Sequence, residues 1–186
     1  MSHTKKTQHI TPEDIASKSK GDIYEKFSDD RFKVSIFGSA RVKPENEIYR
    51  EIRDLAGRIA LSGFDVITGG GPGIMMAAAE GHRTACAECE NDVDTIGINI
   101  VLPFEQQPNK HLNVLDTHET FSTRLDTFML LSNIVVVAPG GIGTTLELFY
   151  TWQLMQVGHI CKVPIIVYGD MWETLMAWVD EYIVRQ

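Results

Sequence analysis

The chain has 186 residues, of which 44% are hydrophobic and 23% charged, the composition of an ordinary soluble globular protein of about one domain. Its net charge of −8 argues against a nucleic acid or an anionic membrane as a partner. Three cysteines are too few for a disulfide framework, and the first residues lack the apolar core of a secretory signal, so we expect a cytoplasmic protein.

Two segments of different character follow one another along the chain. Residues 1–30 are polar and of mixed charge, with one helix-start signal at Thr11 and Pro12, and we expect a peripheral arm there. Residues 31–186 are expected to form the nucleotide-binding domain. Its apolar segments predict strands at 34–37, 64–67, 96–101, 112–115, 134–138 and 163–168. The segments between them predict helices at 48–63, 74–88, 121–131, 144–157 and 171–184.

Strands that alternate with helices indicate βαβ units, and therefore a parallel sheet with helices on both faces. We expect a Rossmann-like, doubly wound α/β fold. Right-handed crossovers bring every strand-to-helix turn to the carboxyl edge of such a sheet, which is where doubly wound sheets bind ligands. The turn at Gly38, Ser39 and Ala40 should therefore meet the later glycine turns at one edge.

Two glycine-rich turns at this edge are typical of phosphate binding. Each leads from an apolar strand to a helix N-terminus, where free N–H groups and the helix dipole attract an anion. Neither turn has the spacing of a dinucleotide fingerprint or of a P-loop, so a nucleoside monophosphate or a sugar phosphate fits better. The residues expected to contact this ligand are Gly70, Gly71, Gly73 and Met75 in the first turn, and Gly140, Gly141, Gly143, Thr144 and Thr145 in the second.

Two charged residues near the second turn each have two interpretations. Glu147 follows Thr144 by three residues, so the pair fits a capping box, but a carboxylate beside a phosphate site also fits catalysis. Arg124 is either a solvated helix arginine or a side chain that reaches over the edge of the sheet. The local pattern leaves both alternatives open.

A metal site is not expected. His82, Cys86 and Cys89 lie along one predicted helix face, but a structural zinc site usually needs a fourth ligand, and the chain has no second Cys-x-x-Cys pair. These residues also lie at the end of their helix that is remote from the glycine turns.

The two glycine motifs, Gly69-Gly-Gly-Pro-Gly-Ile-Met and Pro139-Gly-Gly-Ile-Gly-Thr-Thr-Leu-Glu, resemble the signatures of the LONELY GUY (LOG) family. The resemblance extends over roughly residues 33–180. It implies a phosphoribohydrolase, which cleaves a nucleoside 5′-monophosphate to the free base and ribose 5-phosphate without a cofactor. It also implies that Arg124 and Glu147 are the catalytic pair, that 140–145 bind the phosphate, and that the protein is a homodimer. Relatives pair through helices beside the site, and we expect the apolar segments 121–131 and 146–157 to present the surface for this contact.

Two positions depart from the family pattern. The family often has Arg-Lys and Glu-Glu where this chain has Arg124-Leu125 and Leu146-Glu147. The sequence around Arg124 is more similar to bacterial nucleosidases of general specificity than to enzymes specific for cytokinin nucleotides. The resemblance therefore leaves the preferred base open, whether adenine, a cytokinin or another.

Two other functions compete with hydrolysis. Members of this family were long labelled lysine decarboxylases, but a pyridoxal phosphate enzyme needs a lysine beside the site, and neither glycine motif has one. A non-catalytic module that carries a nucleotide or a cofactor on the same fold is the stronger alternative. The position of Glu147 and Arg124 relative to the phosphate-binding turn distinguishes the carrier from the enzyme.

Overall fold

A six-stranded parallel sheet organises the structure, a computed structural model that describes residues 31–88, 92–102 and 107–185. Residues Arg31–Gln186 form one unit. The predicted arm at residues 1–30 lies outside the described residues. No helix in the described ranges combines the length and the apolar character that a membrane crossing requires.

The sheet has the strand order β4-β3-β2-β1-β5-β6, and every neighbouring pair is parallel. This order, with a helix in the described ranges between every two successive strands except β3 and β4, confirms the predicted Rossmann-like α/β fold. The strands are β1 (Lys33–Phe37), β2 (Asp65–Thr68), β3 (Thr95–Ile100), β4 (Val114–His118), β5 (Ile134–Val137) and β6 (Ile165–Val167).

Five α-helices connect or follow these strands: α1 (Glu47–Leu61), α2 (Ile74–Glu88), α3 (Phe121–Leu131), α4 (Ile142–Gln156) and α5 (Glu173–Val179). Helix α1 begins at a conventional cap, since the Asn46 side chain accepts a hydrogen bond from the Ile48 N–H group at 2.9 Å. Helices α1 and α2 pack on one face of the sheet around Ile36 and Ile52. On the other face Phe128 of α3 meets Phe37 edge to face, with ring centroids 4.9 Å apart.

Several predicted elements differ in their bounds from the structure, three of them in ways that have a structural reason or affect the site. Strand β4 begins at Val114 rather than at residue 112, because Leu112 packs against Gly97 and Gly70 instead of joining the ladder. The predicted last helix is divided into a 3₁₀ turn, helix α5 and a π turn at Asp180–Val184. Helix α4 begins at Ile142, two residues before the predicted start.

Helices α1 and α2 approach each other closely at Gly81. A Cβ atom at this position would lie 1.9 Å from the Arg53 carbonyl oxygen, whereas a Cβ atom at Gly57 would make only an ordinary contact with the Gly81 oxygen at 3.5 Å. We therefore expect Gly81→Ala to lower the free energy of unfolding by about 2 kcal/mol through overpacking. The matched variant Gly57→Ala should raise it by roughly 0.5 kcal/mol.

Urea unfolding of the two variants tests this close approach. The midpoint should fall for Gly81→Ala and stay the same or rise for Gly57→Ala. Equal midpoints for both variants would contradict the packing described for α1 and α2.

Candidate active site

The carboxyl edge of the sheet contains a cleft of about 350 Å³. Residues after β1 and β5 form one side, residues at the end of β3 form another, and Arg124 of α3 and Glu147 of α4 lie among them. The cleft is lined by Ile36, Phe37, Gly38, Ser39, Ala40, Arg41, Gly69, Met75, Asn99, Ile100, Leu102, Phe121, Arg124, Gly141, Ile142, Gly143, Thr144 and Glu147.

Backbone hydrogen bonds connect the turns that meet at this edge. The Ser39 N–H group donates to the Pro139 carbonyl at 3.0 Å, and the Ile74 N–H group donates to the Ser39 carbonyl at 2.9 Å. Gly73 has a φ of +68°, and a Cβ atom there would lie 2.2 Å from the Ser39 oxygen, so this position requires glycine. The three turns therefore form one connected backbone unit.

The N-terminus of α4 faces the cleft without a side-chain cap. Gly141 is the N-cap residue in an extended conformation, and the first helical hydrogen bond runs from the Thr145 N–H group to the Gly141 carbonyl at 3.0 Å. The amides at residues 142–144 precede that bond, and the space next to Gly143 is open. Such an uncapped helix start has the geometry that binds an anionic group such as a phosphate.

The capping-box interpretation of Thr144 and Glu147 is wrong. Because α4 begins at Ile142, Glu147 lies in the second turn and cannot reach back to the N-cap amide. Thr144 is buried, and its hydroxyl lies 2.1 Å from the position that a Cβ atom would take at Gly140. Glu147 is directed towards Arg124 instead.

Arg124 and Glu147 form a buried ion pair at the cleft. The Arg124 Nη1 atom lies 3.2 Å from Glu147 Oε1, and both residues are 9% exposed. Arg124 Nε donates to the Ile98 carbonyl of β3 at 2.9 Å, and the guanidinium lies 5.2 Å from the centroid of the Phe128 ring. A Cβ atom at Gly69 would come within 2.4 Å of Arg124 Nη2, so this glycine leaves room for the guanidinium.

Burial changes the protonation of this pair. Desolvation raises the pKa of Glu147 from its usual 4.5 to about 7, although the charge of Arg124 and its hydrogen bond act to lower it. Burial also lowers the pKa of Arg124, which Glu147 counteracts. A carboxyl group that titrates near neutral pH in a cleft is suited to general acid–base catalysis.

The structure brings only part of the predicted site together. The cleft lining includes Gly38, Ser39, Ala40, Met75, Arg124, Gly141, Gly143, Thr144 and Glu147. It does not include the predicted residues Gly70, Gly71, Gly73, Gly140 and Thr145.

The outer part of the first glycine turn has structural contacts of its own. Asn109 donates to the Gly70 carbonyl through its N–H group at 2.8 Å and to the Gly71 carbonyl through Nδ2 at 3.1 Å. This turn therefore holds the loop that follows β3, and a ligand role for Gly70, Gly71 and Gly73 stays a prediction.

The two departures from the family pattern lie outside the cleft. Leu125 is buried in the interior, and Leu146 is 46% exposed on the outer side of α4. Neither side chain therefore lines the cleft.

Sequence reasoning missed several cleft residues, of which Arg41 and Asn99 carry polar groups. Arg41 follows the Gly38 turn, and its guanidinium lies 3.5 Å from the position of a Cβ atom at Gly141. Asn99 lies at the end of β3 and is only 8% exposed. A polar residue at the carboxyl end of a predicted buried strand was the available signal for Asn99.

The contacts of His82 indicate a role in packing rather than in binding a metal. Its ring nitrogens lie 2.7 Å from the Thr95 hydroxyl and 2.9 Å from the Phe64 carbonyl, and burial lowers its pKa. Cys86 Sγ lies 3.7 Å from His82 Nδ1, and Cys89 lies outside the described residues. Within the described ranges, no three His, Cys, Asp or Glu residues are grouped as metal ligands would be.

Comparison with solved structures shows the same fold in cofactor-binding proteins. A molybdenum cofactor binding protein from Rippkaea orientalis superposes with a TM-score of 0.61 at 19% identity, over 81% of this chain and 85% of that one. A Moco carrier protein from Chlamydomonas reinhardtii gives 0.59 at 22% identity, over 82% and 86%. At such identities the likeness concerns the fold alone.

Sequence comparison adds evidence of family. Pyrimidine/purine nucleotide 5′-monophosphate nucleosidases from Escherichia coli strains, K12 and O157:H7 among them, are 30% identical over 109 residues. That alignment covers 57% of this chain but only 24% of each relative. The family model described as possible lysine decarboxylase matches residues 75–186, which is more than half of the chain. With both glycine motifs placed at one edge of a Rossmann-like sheet, the chain belongs to this family, the LONELY GUY (LOG) family.

Proposed function

We propose that this protein hydrolyses the N-glycosidic bond of a nucleoside 5′-monophosphate. Water adds its oxygen to the anomeric carbon, the bond to the base nitrogen breaks with its electron pair on the base, and the products are free base and ribose 5-phosphate. The observation that carries the proposal is the Arg124–Glu147 pair, buried in the cleft beside an uncapped helix N-terminus.

Glu147 has the properties that this reaction needs. The transition state resembles an oxocarbenium ion, which a nearby carboxylate stabilises, and the attacking water must lose a proton to a base. In its ionised form Glu147 supplies both functions, and its pKa of about 7 leaves it ready to release the proton to the departing base. Arg124 holds the carboxylate and stabilises negative charge on the leaving base. This scheme requires no metal and no organic cofactor.

The 5′-phosphate anchors the substrate in this proposal. The amides at 142–144, Ser39 and Arg41 surround the end of the cleft next to α4. Binding energy from a group remote from the reacting bond fixes the geometry for attack.

We expect kcat/KM for AMP to exceed that for adenosine by roughly 10²-fold or more, since adenosine lacks this anchor. A panel of nucleoside 5′-monophosphates and the matching nucleosides, assayed for release of the free base, measures this ratio and also identifies the preferred base. Ribose 5-phosphate should inhibit and ribose should not. Equal turnover of AMP and adenosine would contradict the anchoring role.

A carrier of a nucleotide or a cofactor is the alternative function on this fold. The Moco-binding neighbours support it through fold only. The buried Arg124–Glu147 pair favours the hydrolase, because an ionisable carboxyl group placed against an arginine is costly to bury and serves a reaction better than storage. Tight nucleotide binding without any release of base would favour the carrier.

We also propose a cytoplasmic homodimer. Cys161 is an exposed free thiol, which suits a reducing compartment.

The surface for the contact between subunits differs from the expectation. The expectation that 121–131 and 146–157 both present apolar surface is wrong for α3, because four of its apolar residues are buried in the protomer: Leu125, Phe128, Met129 and Leu131. Exposed apolar side chains remain at Phe121, Leu146 and Val157. We expect these three residues to contribute to the contact between subunits.

Light scattering at micromolar concentration measures the oligomeric state. A mass of twice the 20.8 kDa chain is expected, and Leu146→Glu should lower it. Ile166→Glu, at another exposed apolar position on β6, should leave the mass unchanged. A monomeric mass for the unmodified protein would refute the dimer.

A further inference from the structure

Asn99 has the environment of a ligand-binding side chain that the scheme above does not use. It lies near the carboxyl end of β3, borders the cleft and is only 8% exposed. Its Oδ1 atom accepts a hydrogen bond from the Ile100 N–H group at 2.8 Å, which fixes the orientation of the amide. No group in the described ranges accepts a hydrogen bond from Nδ2, and this atom is not sealed from solvent.

Asn99 borders the cleft and follows directly the residue that holds Arg124. Arg124 Nε is hydrogen-bonded to the carbonyl of Ile98, the residue before Asn99, and the same guanidinium contacts Glu147. The phosphate-binding turn belongs to β5 and α4, and in the sheet order β2 and β1 lie between β3 and β5. A nucleotide with its phosphate at α4 and its sugar at Glu147 therefore directs its base towards β3.

We propose that Asn99 recognises the base by donating a hydrogen bond from Nδ2 to N3 or N7 of a purine, the two ring nitrogens that are one carbon away from the glycosidic nitrogen. Because the backbone already occupies one lone pair of Oδ1 and orients the amide, Nδ2 is the group that we assign to the base. When the glycosidic bond breaks, its electron pair moves onto the base, and these ring nitrogens become stronger acceptors. The hydrogen bond therefore strengthens towards the transition state, which makes Asn99 a determinant of both specificity and rate. This inference rests on the proposed function for its substrate class.

Substrate analogues that lack one acceptor test the contact. In 7-deaza-AMP and 3-deaza-AMP a C–H group replaces N7 and N3, respectively. The measured quantity is the preference for AMP over each analogue, as a ratio of kcat/KM, in the unmodified protein and in Asn99→Ala. A preference that comes from the intrinsic reactivity of the base is the same in both proteins, whereas a preference that comes from Asn99 is lost in the variant.

We expect Asn99→Ala to reduce kcat/KM for AMP roughly tenfold and to shrink the preference against one analogue by about fivefold, the size of one neutral hydrogen bond. Asn99→Asp keeps an acceptor for the Ile100 N–H group but removes the donor, so it should lose the same preference while remaining folded. The matched control is Asn113→Ala. Asn113 Oδ1 also accepts from a backbone N–H group, that of Thr95 at 2.6 Å, but at the amino end of β3.

The failure of this inference is distinguishable from failure of the hydrolase. Absence of base release from every nucleotide would overturn the proposed function. The proposed hydrogen bond between Asn99 and the base would then be tested by binding alone, from the dissociation constants of AMP and the two analogues measured by calorimetry in Glu147→Gln. There too Asn99→Ala should remove the preference against one analogue. The role of Asn99 would be overturned if the preference for AMP over each analogue in Asn99→Ala and Asn99→Asp stays within twofold of the preference measured without the substitution. Failure of AMP to bind at all would also overturn it.

Discussion

Glu147→Gln should lower turnover of a nucleoside 5′-monophosphate by at least roughly 10²-fold, the usual size of a general acid–base contribution. Glutamine keeps the shape of the side chain and a hydrogen-bond acceptor for Arg124, but it cannot ionise or take a proton from water. Nucleotide binding should persist, because the phosphate contacts come from other residues. The measurement is kcat by base release, with the nucleotide dissociation constant from calorimetry. Glu173→Gln, at an exposed position on α5, is the matched control and should retain full activity.

Glu147→Gln should also change how the free energy of unfolding depends on pH. The pKa of about 7 in the folded protein exceeds that of an unfolded glutamate, so the folded state binds the proton more tightly. The free energy of unfolding should therefore fall as pH rises from about 4.5 to 7, by roughly 3 kcal/mol from this group. In Glu147→Gln this contribution should be absent from urea unfolding curves. Near-normal turnover together with an unchanged pH dependence of stability would assign Glu147 a structural role.

Arg124→Leu should produce the second large loss, roughly 10²-fold in kcat/KM, and should also shift the pH profile. The arginine charge lowers the pKa of Glu147, so its removal raises that pKa above 7. Because Glu147 acts in its ionised form in the proposed reaction, activity of the unmodified protein should rise with pH through about 7. The rise should begin at higher pH in Arg124→Leu.

Arg124→Lys should also lose activity, by about tenfold or more. Lysine cannot donate at once to the Ile98 carbonyl and to Glu147 with the planar geometry that arginine uses. Arg83→Leu, at an exposed position on α2, serves as control. A pH profile that stays at the same position in Arg124→Leu would show that the pair is not coupled in catalysis.

The sequence predicted the fold and the general place of the site for a physical reason. Alternating strands and helices leave few topologies, and parallel strands place their following turns at one edge. The turn at Gly38 and the turn at Gly141 therefore had to meet, although they are about a hundred residues apart. The bounds of the edge strand β4 were harder to predict from the sequence. This strand is half-exposed, and its apolar neighbour Leu112 packs outside the ladder.

The two interpretations of Glu147 could not be separated by pattern, because they depend on where α4 begins. Thr144 is a good N-cap residue, but Gly141 takes that place and lets the helix start earlier, which turns Glu147 towards Arg124. The surface assigned to 121–131 failed for a related reason. Apolar residues at 121, 125, 128 and 129 follow a helical period, but this pattern does not show whether the rest of the protomer or a second subunit covers them. The sequence therefore did not reveal that Phe128 and Met129 are buried within the protomer.

The most direct test of the account is the stoichiometry of products from AMP. Purified protein is incubated with AMP, and adenine, ribose 5-phosphate, adenosine and inorganic phosphate are quantified together. We expect equal amounts of adenine and ribose 5-phosphate, no adenosine, and at least roughly a 10²-fold slower release with Glu147→Gln. Release of phosphate and adenosine, or AMP and the other nucleoside monophosphates bound but unchanged, would contradict it.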